Sequence, residues 1–115
     1  MNVRFNTTET LVRLGGDKEL LAAVVGTYLR EVPGYLRDID QALKSQNASN
    51  VKAAAHKLKG ASATVGLECV TKMALSLEKA AEDGQDLNSL HAEFDAMQVH
   101  VADKVISTLQ NWLDE

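Results

Sequence analysis

The 115-residue chain is poor in the residues that would commit it to several common classes of protein. Cys69 is its only cysteine, so no intrachain disulfide and no cysteine-based zinc site can form. A reducing cytoplasm is the expected home. The longest apolar stretches, such as Leu20 to Val25, fall far short of the roughly 20 residues that cross a bilayer. The opening MNVRFNTTET lacks the apolar segment of a secretory signal, so no direct membrane contact is expected. Twelve Lys and Arg against sixteen Asp and Glu leave a net charge of −4, which argues against a general nucleic-acid binder with a basic face. There is no His-Glu-x-x-His, no paired Glu-x-x-His, no Gly-x-Gly-x-x-Gly and no Walker loop. Gly60 and Gly66 are too widely spaced for the last, and no Gly-Lys-Ser/Thr follows them. The chain is therefore expected not to bind ATP and not to be a kinase by itself.

What is present favours helices. Hydrophobic residues make up 45% of the chain and aromatics only 4%, so the core must be aliphatic, from side chains that helices pack well. The length fits one domain, residues 1–115, around one core. Thr7, Thr8 and Glu9 open a short first helix that stops at Gly15-Gly16. Asp17 precedes Leu20, Leu21, Val24, Val25, Tyr28, Leu29 and Val32, whose spacing marks one apolar face. Leu36, Ile39 and Leu43 carry that period past Pro33-Gly34, which predicts one kinked helix over 17–45. The polar stretch 45–50 separates it from a third helix over 50–65, with Val51, Ala55, Leu58, Ser62 and Val65 on one side and Gly66 at its end. Glu68 opens a fourth helix, with Val70, Met73, Ala74, Leu77 and Ala81 inward, ending at Glu82-Asp83-Gly84. From Asp86 an uninterrupted helical period runs through Leu90, Phe94, Met97, Val101, Val105 and Leu109 to Trp112 and Leu113. The expected fold is all-α: an antiparallel up-down four-helix bundle with a short extra N-terminal helix. A filled four-helix core needs no second copy, so a monomer is expected.

Three histidines remain as candidate reactive groups. His91 and His100 read as ordinary helix-surface residues. His56 differs in its surroundings. At 100° per residue it shares one side of the third helix with Lys52, Lys59, Gly60 and Ala63, opposite Val51, Ala55 and Leu58. Residues 41–67 hold four lysines (Lys44, Lys52, Lys57 and Lys59) and no acid, a local basic patch on an acidic protein. Gly60, four residues from His56, costs about 1 kcal/mol relative to alanine inside a helix. It either serves helix packing or keeps the ground beside the imidazole bare for another protein's backbone. Neutral imidazole is nucleophilic near neutral pH, and its attack on a phosphoryl group gives a phosphoramidate reactive enough to pass the group on. Lys59, three residues away, is placed to offset the phosphoryl charge. Lys57, about 100° round the helix, offers only longer-range attraction. Glu78 in the fourth helix is a candidate to hold the other ring nitrogen and fix the tautomer, or else an ordinary solvated carboxylate.

The run Ala55-His56-Lys57-Leu58-Lys59-Gly60-Ala61-Ser62, with Gly66, resembles the His-x-Leu-Lys-Gly signature of histidine-containing phosphotransfer (HPt) domains of bacterial two-component phosphorelays. Leu14-Gly15-Gly16-Asp17 before the long helix, and Leu77-Glu78 in the fourth, extend the resemblance over nearly the whole chain. The resemblance implies a phosphorelay carrier. His56 would accept a phosphoryl group from the aspartyl phosphate of a receiver domain and pass it to another receiver, belonging to a hybrid sensor kinase or a response regulator. Lys59 would stabilise the phosphoryl charge, Glu78 would orient the imidazole, and Lys52, Lys57, Gly60 and Ala63 would form the partner surface. It implies no cofactor in this chain, the Mg²⁺ being supplied by the receiver. Two other readings stay open. One is a helical-bundle interaction module that binds receivers or other signalling proteins without accepting phosphate. The other is a histidine kinase fragment, which would show an acidic residue after its histidine where Lys57 stands here. Cys69, beside an apolar face, reads as a small core residue rather than a redox switch.

Overall fold

The computed structural model describes residues 5–115, which form α1 (Thr7–Arg13), α2 (Lys18–Lys44), α3 (Ala48–Thr64), α4 (Glu68–Glu82), α5 (Leu87–His100) and α6 (Ile106–Leu113), with a π-helical turn over Val101–Val105 joining the last two. Side chains start the helices where the sequence offers them. Asn6, Asp17, Asn47 and Asp86 each accept a hydrogen bond from a backbone N–H in the first turn of α1, α2, α3 and α5, satisfying donors that a helix leaves unpaired. Gly15 and Gly16, with φ of 70° and 79°, end α1 and turn the chain into α2.

At about 1.5 Å per residue the 27 residues of α2 span about 40 Å, the full 42 Å length of the molecule. The helix continues through Pro33 as the apolar period predicts. It packs against α3 and against the α5–α6 rod, and α4 packs against α3 and α5, which closes the four-helix bundle. Phe94, Leu21, Ile39, Leu58, Leu77, Leu90, Met97 and Leu109 are among the largest fully buried side chains. One buried polar pair fixes the register of α2 on α3: the hydroxyls of Tyr28 and Ser62 lie 2.9 Å apart, and burial pushes the Tyr28 phenol up to about 12. Among the described residues, no helix is long and apolar enough to cross a membrane.

Three features differ from the sequence expectation. Leu20 is exposed, because it lies about 100° from Leu21 and the buried stripe runs through Leu21, Val25, Tyr28 and Val32. The last helix is helical throughout but not α throughout. Met97, Val101, Val105 and Leu109 are all buried, and three consecutive steps of four residues would carry an α-helical stripe about 120° round the axis. The wider π turn over Val101–Val105 absorbs that drift and keeps all four side chains on the core.

His100, at the mouth of the π turn, is buried rather than on the surface, and its Nε2 has no hydrogen-bond partner among the described residues. Loss of solvation, with Lys104 nearby, pushes its proton affinity below the ordinary histidine value. The folded protein therefore binds this proton less readily than the unfolded chain, so its contribution to stability is complete above the unfolded value near 6.5 and declines as the pH falls below it. Urea midpoints are expected to drop between about pH 7.5 and 5.5. A His100→Leu variant is expected to lose most of that dependence, and an equal drop in both proteins would place the titrating group elsewhere.

Candidate functional site

His56 stands on α3 with its backbone in regular helix and its side chain 65% exposed. The apolar period explains this outward aim: Val51, Ala55, Leu58 and Ser62 occupy the buried side of α3, leaving His56 nearly opposite. The three-residue connection Val65-Gly66-Leu67 turns the chain back so that α4 lies along α3. This brings Glu78, 22 residues further on, beside the imidazole. One Glu78 oxygen, Oε2, lies 2.8 Å from His56 Nδ1, and the other, Oε1, accepts a hydrogen bond of 2.6 Å from the Lys59 ammonium.

Glu78 is thus shared between the two residues, which sit one turn apart on α3. Its side chain is only 11% exposed, and that of Lys59 26%. The Lys59 hydrogen bond holds the Glu78 carboxyl below the usual carboxylate range, against the opposing push of burial, and the His56 hydrogen bond adds to the depression. An ionised carboxylate has no proton to give, so His56 Nδ1 must be the donor. The neutral imidazole is then protonated at Nδ1 and carries its lone pair on Nε2. The arrangement therefore holds a nucleophilic nitrogen on an exposed ring, with a cation one turn away.

The surroundings of His56 are asymmetric. Lys52 and Lys59 fall on the α4 side, where Glu82 lies 3.6 Å from the Lys52 ammonium and Glu78 takes Lys59. Gly60 and Ala53 fall on the α2 side, about 40° and 60° from His56 around the helix. A β-carbon built on Gly60 would have no atom within 4 Å among the described residues beyond its chain neighbours and the local helix backbone, so packing inside the bundle does not require the glycine. Beyond it lie two grooves between α3 and α2. One, about 320 Å³, is lined mainly by apolar atoms of Val24, Tyr28, Ala61 and Val65, with Thr27 and Glu31. The other, about 340 Å³, is polar and includes Asp38, Gln41, Asn50, Ala53 and Lys57. Lys57 is exposed, as its angle implied. Ala63 is also exposed, and its carbonyl accepts a 3.1 Å hydrogen bond from Arg13 of α1. The residues that single-helix spacing did not identify here are Arg13, fifty positions away, and the α2 side chains of the two grooves.

The other histidines have different environments. His91 is half-buried with Asp40 3.8 Å from Nε2 and Asp95 3.4 Å from Nδ1. Cys69 is also half-buried. Among the described residues, no group of three or more His, Cys, Asp or Glu is placed to hold a metal ion.

Comparison with known proteins bears on the fold and the family. The fold matches a crystal structure described as the HPT domain from the Hpt sensor hybrid histidine kinase from Shewanella, with a TM-score of 0.81 and 20% sequence identity over 96% of this chain and 93% of that one. No curated protein sequence matches the chain. The family model described as Hpt domain matches residues 23–115, the greater part of the chain and all of the helices that carry the His56 site. The chain belongs to the Hpt domain family, whose members are phosphotransfer carriers without an ATP site of their own and interact with receiver domains in phosphorelays.

Proposed function

We propose that this chain is a phosphorelay carrier in which His56 accepts a phosphoryl group from the aspartyl phosphate of one receiver domain and delivers it to another. The observation that carries the reading is the contact of His56 Nδ1 with a buried carboxylate while the rest of the ring stays exposed. That contact leaves Nε2 as the reacting atom, in the protonation state that attack requires. The Nε2 lone pair forms the N–P bond as the P–O bond of the aspartyl phosphate breaks and its electron pair returns to the carboxylate. Lys59 supplies positive charge next to the incoming phosphoryl oxygens. An ammonium has three donors, so it can do this while still bonded to Glu78.

The bare α2 side of His56 is the direction from which a receiver approaches, because the α4 side is occupied by Lys52 and Lys59 with their acidic partners. Lys57 and Gly60 form the contact surface on that side of the ring, and Lys52 and Ala63 its far edge. The receiver, one from a hybrid sensor kinase or a response regulator, brings its own Mg²⁺.

The test is to mix the protein with phosphorylated receivers and Mg²⁺, measure intact mass and acid lability, and map the adduct. An acid-labile phosphoryl group on His56 is the expected result. Failure of every receiver to phosphorylate a verified fold, with receiver binding retained, would instead establish an interaction module without phosphate chemistry.

Gly60 supplies a separate check. Gly60→Gln is expected to keep or slightly raise thermal stability, since glycine costs a helix interior about 1 kcal/mol and the position of its β-carbon is uncrowded. Transfer from the receiver should fall at least about tenfold, because the side chain stands where the partner must approach. Unchanged transfer kinetics would remove Gly60 from the docking surface.

A further inference from the structure

Resting on the assignment of His56 as phosphoacceptor, we infer that Glu78 acts beyond orienting the ring: as a carboxylate it keeps Nδ1 protonated after Nε2 is phosphorylated, so that phosphoryl uptake and release both proceed without a proton leaving the imidazole. The geometry carries this. Oε2 of Glu78 is 2.8 Å from Nδ1, on a side chain that is nine-tenths buried and aimed at the ring from a neighbouring helix.

The proton balance explains why the carboxylate matters. The resting ring is neutral, with its proton on Nδ1. Attack through Nε2 forms the N–P bond and leaves that proton in place, so the ring gains one positive charge. If Nδ1 then lost its proton to solvent, the product would be a neutral phosphoimidazole. Breaking its N–P bond would expel an imidazolate anion, a poor leaving group. With Nδ1 still protonated, the departing group is neutral imidazole, and the N–P electron pair returns to Nε2 as the phosphoryl passes to the acceptor carboxylate. A full negative charge at hydrogen-bond distance favours the charged ring, and an amide of the same shape does so far less.

Other charges around His56 do not replace it. On α3, Lys52 and Lys59 are cations and oppose a positive ring, and Lys57 points about 100° away. On α4, Glu82 lies against Lys52. On α2, Glu31 and Asp38 line the two grooves rather than contacting the imidazole. The phosphoryl group adds up to about two negative charges, which favour the protonated ring equally in any variant. Glu78 is the group whose charge acts on Nδ1 itself.

The experiment compares wild type, Glu78→Gln and Lys59→Gln, each labelled with ¹⁵N-histidine and phosphorylated by phosphoramidate, a small donor that needs no receiver. Mapping the adduct to His56 first tests the underlying assignment, and a phosphoryl group found elsewhere overturns both readings. Ring ¹⁵N spectra then follow the Nδ1 proton of phosphorylated His56 from about pH 6 to 9. Glu78→Gln should lose the proton at least about one pH unit lower than wild type, a tenfold loss of proton affinity. Lys59→Gln should hold it at least as long as wild type. Loss of the proton at the same pH in wild type and Glu78→Gln, with the adduct on His56, overturns the inference while leaving the phosphoacceptor in place. Early loss in Lys59→Gln overturns it as well. Simple misplacement of the ring would slow transfer by a similar factor at every pH. The inferred role predicts instead that phosphoryl release from Glu78→Gln to a receiver falls off towards alkaline pH.

Discussion

A His56→Gln protein is expected to take up no phosphate from any donor that phosphorylates the wild type, while melting at nearly the same temperature and still binding receivers. The amide nitrogen of glutamine has its lone pair delocalised into the carbonyl and is not a nucleophile. The loss should therefore be complete, unlike the graded losses expected at Lys59, Gly60 and Glu78. Stability should change by no more than about 0.5 kcal/mol, the range for exposed positions, because the His56 side chain is 65% exposed and outside the core. Glu78 is not stranded by the change, since its other oxygen keeps Lys59. Neither of the other histidines is built to compensate. Both ring nitrogens of His91 lie near carboxylates, which would repel a phosphoryl dianion, and His100 is buried. Intact-mass analysis, a receiver-binding assay and a thermal melt on the same samples read all three outcomes. Phosphate uptake by His56→Gln at the wild-type level would mean the acceptor is another residue, and loss of receiver binding would mean the imidazole itself anchors the complex.

The site is legible in the sequence to the extent that it lies on one helix. His56, Lys59 and Gly60 sit three and four residues apart, so the 100° step alone puts them on a common face, and Leu58 and Ser62 show which face is inward. Glu78 belongs to the next helix. Its position opposite His56 depends on the three-residue turn at Gly66 and on the rotation of α4, which its own apolar stripe through Val70, Ala74, Leu77 and Ala81 determines. Spacing could nominate Glu78 but could not decide between a hydrogen-bonded carboxylate and a solvated one. That answer needs the 2.8 Å and 2.6 Å contacts.

Other features left no local trace. His100 is polar by residue type and buried by position, and its inward turn accompanies the π geometry at Val101–Val105. That geometry is foreshadowed only by three four-residue steps in a row, which also fit a slightly drifting α-helix. Arg13 reaches the end of α3 through the docking of α1, a contact across fifty residues that no periodicity contains. Gly60 shows the converse. Its residue type announced a cost, and the open space around its missing side chain removes the explanation that lies inside the chain.

Gly66→Ala should be the most destabilising of the glycine substitutions, costing about 2–5 kcal/mol, from about 1–2 for a left-handed residue with a side chain and about 1–3 for overpacking. The residue has φ of 80°, and a β-carbon there would collide with Thr10 Oγ1 and stand 2.9 Å from the Asn6 carbonyl oxygen. Neither neighbour is free to yield. The Asn6 N–H donates to the Gly66 carbonyl at 2.9 Å, and the nearly fully buried Thr10 hydroxyl donates to the Asn6 carbonyl at 2.6 Å. The added methyl would therefore push α1 off the α3–α4 turn or force that turn to open. If α1 lifts, Phe5 leaves its edge-to-face contact with Trp112, now at 5.5 Å between ring centres, so tryptophan fluorescence reports this route. If the turn opens, α4 shifts along α3 and the Glu78–His56 contact changes with it, so the cost reaches the site as well as the fold. Urea unfolding measures the total. Gly60→Ala, in the same segment but with nothing near its β-carbon, should move stability by about 1 kcal/mol in the opposite direction. Equal and small effects at both positions would mean that α1 is not seated on the Gly66 turn. Opposite signs would separate a glycine required by the bundle from one whose absent side chain matters only to a partner.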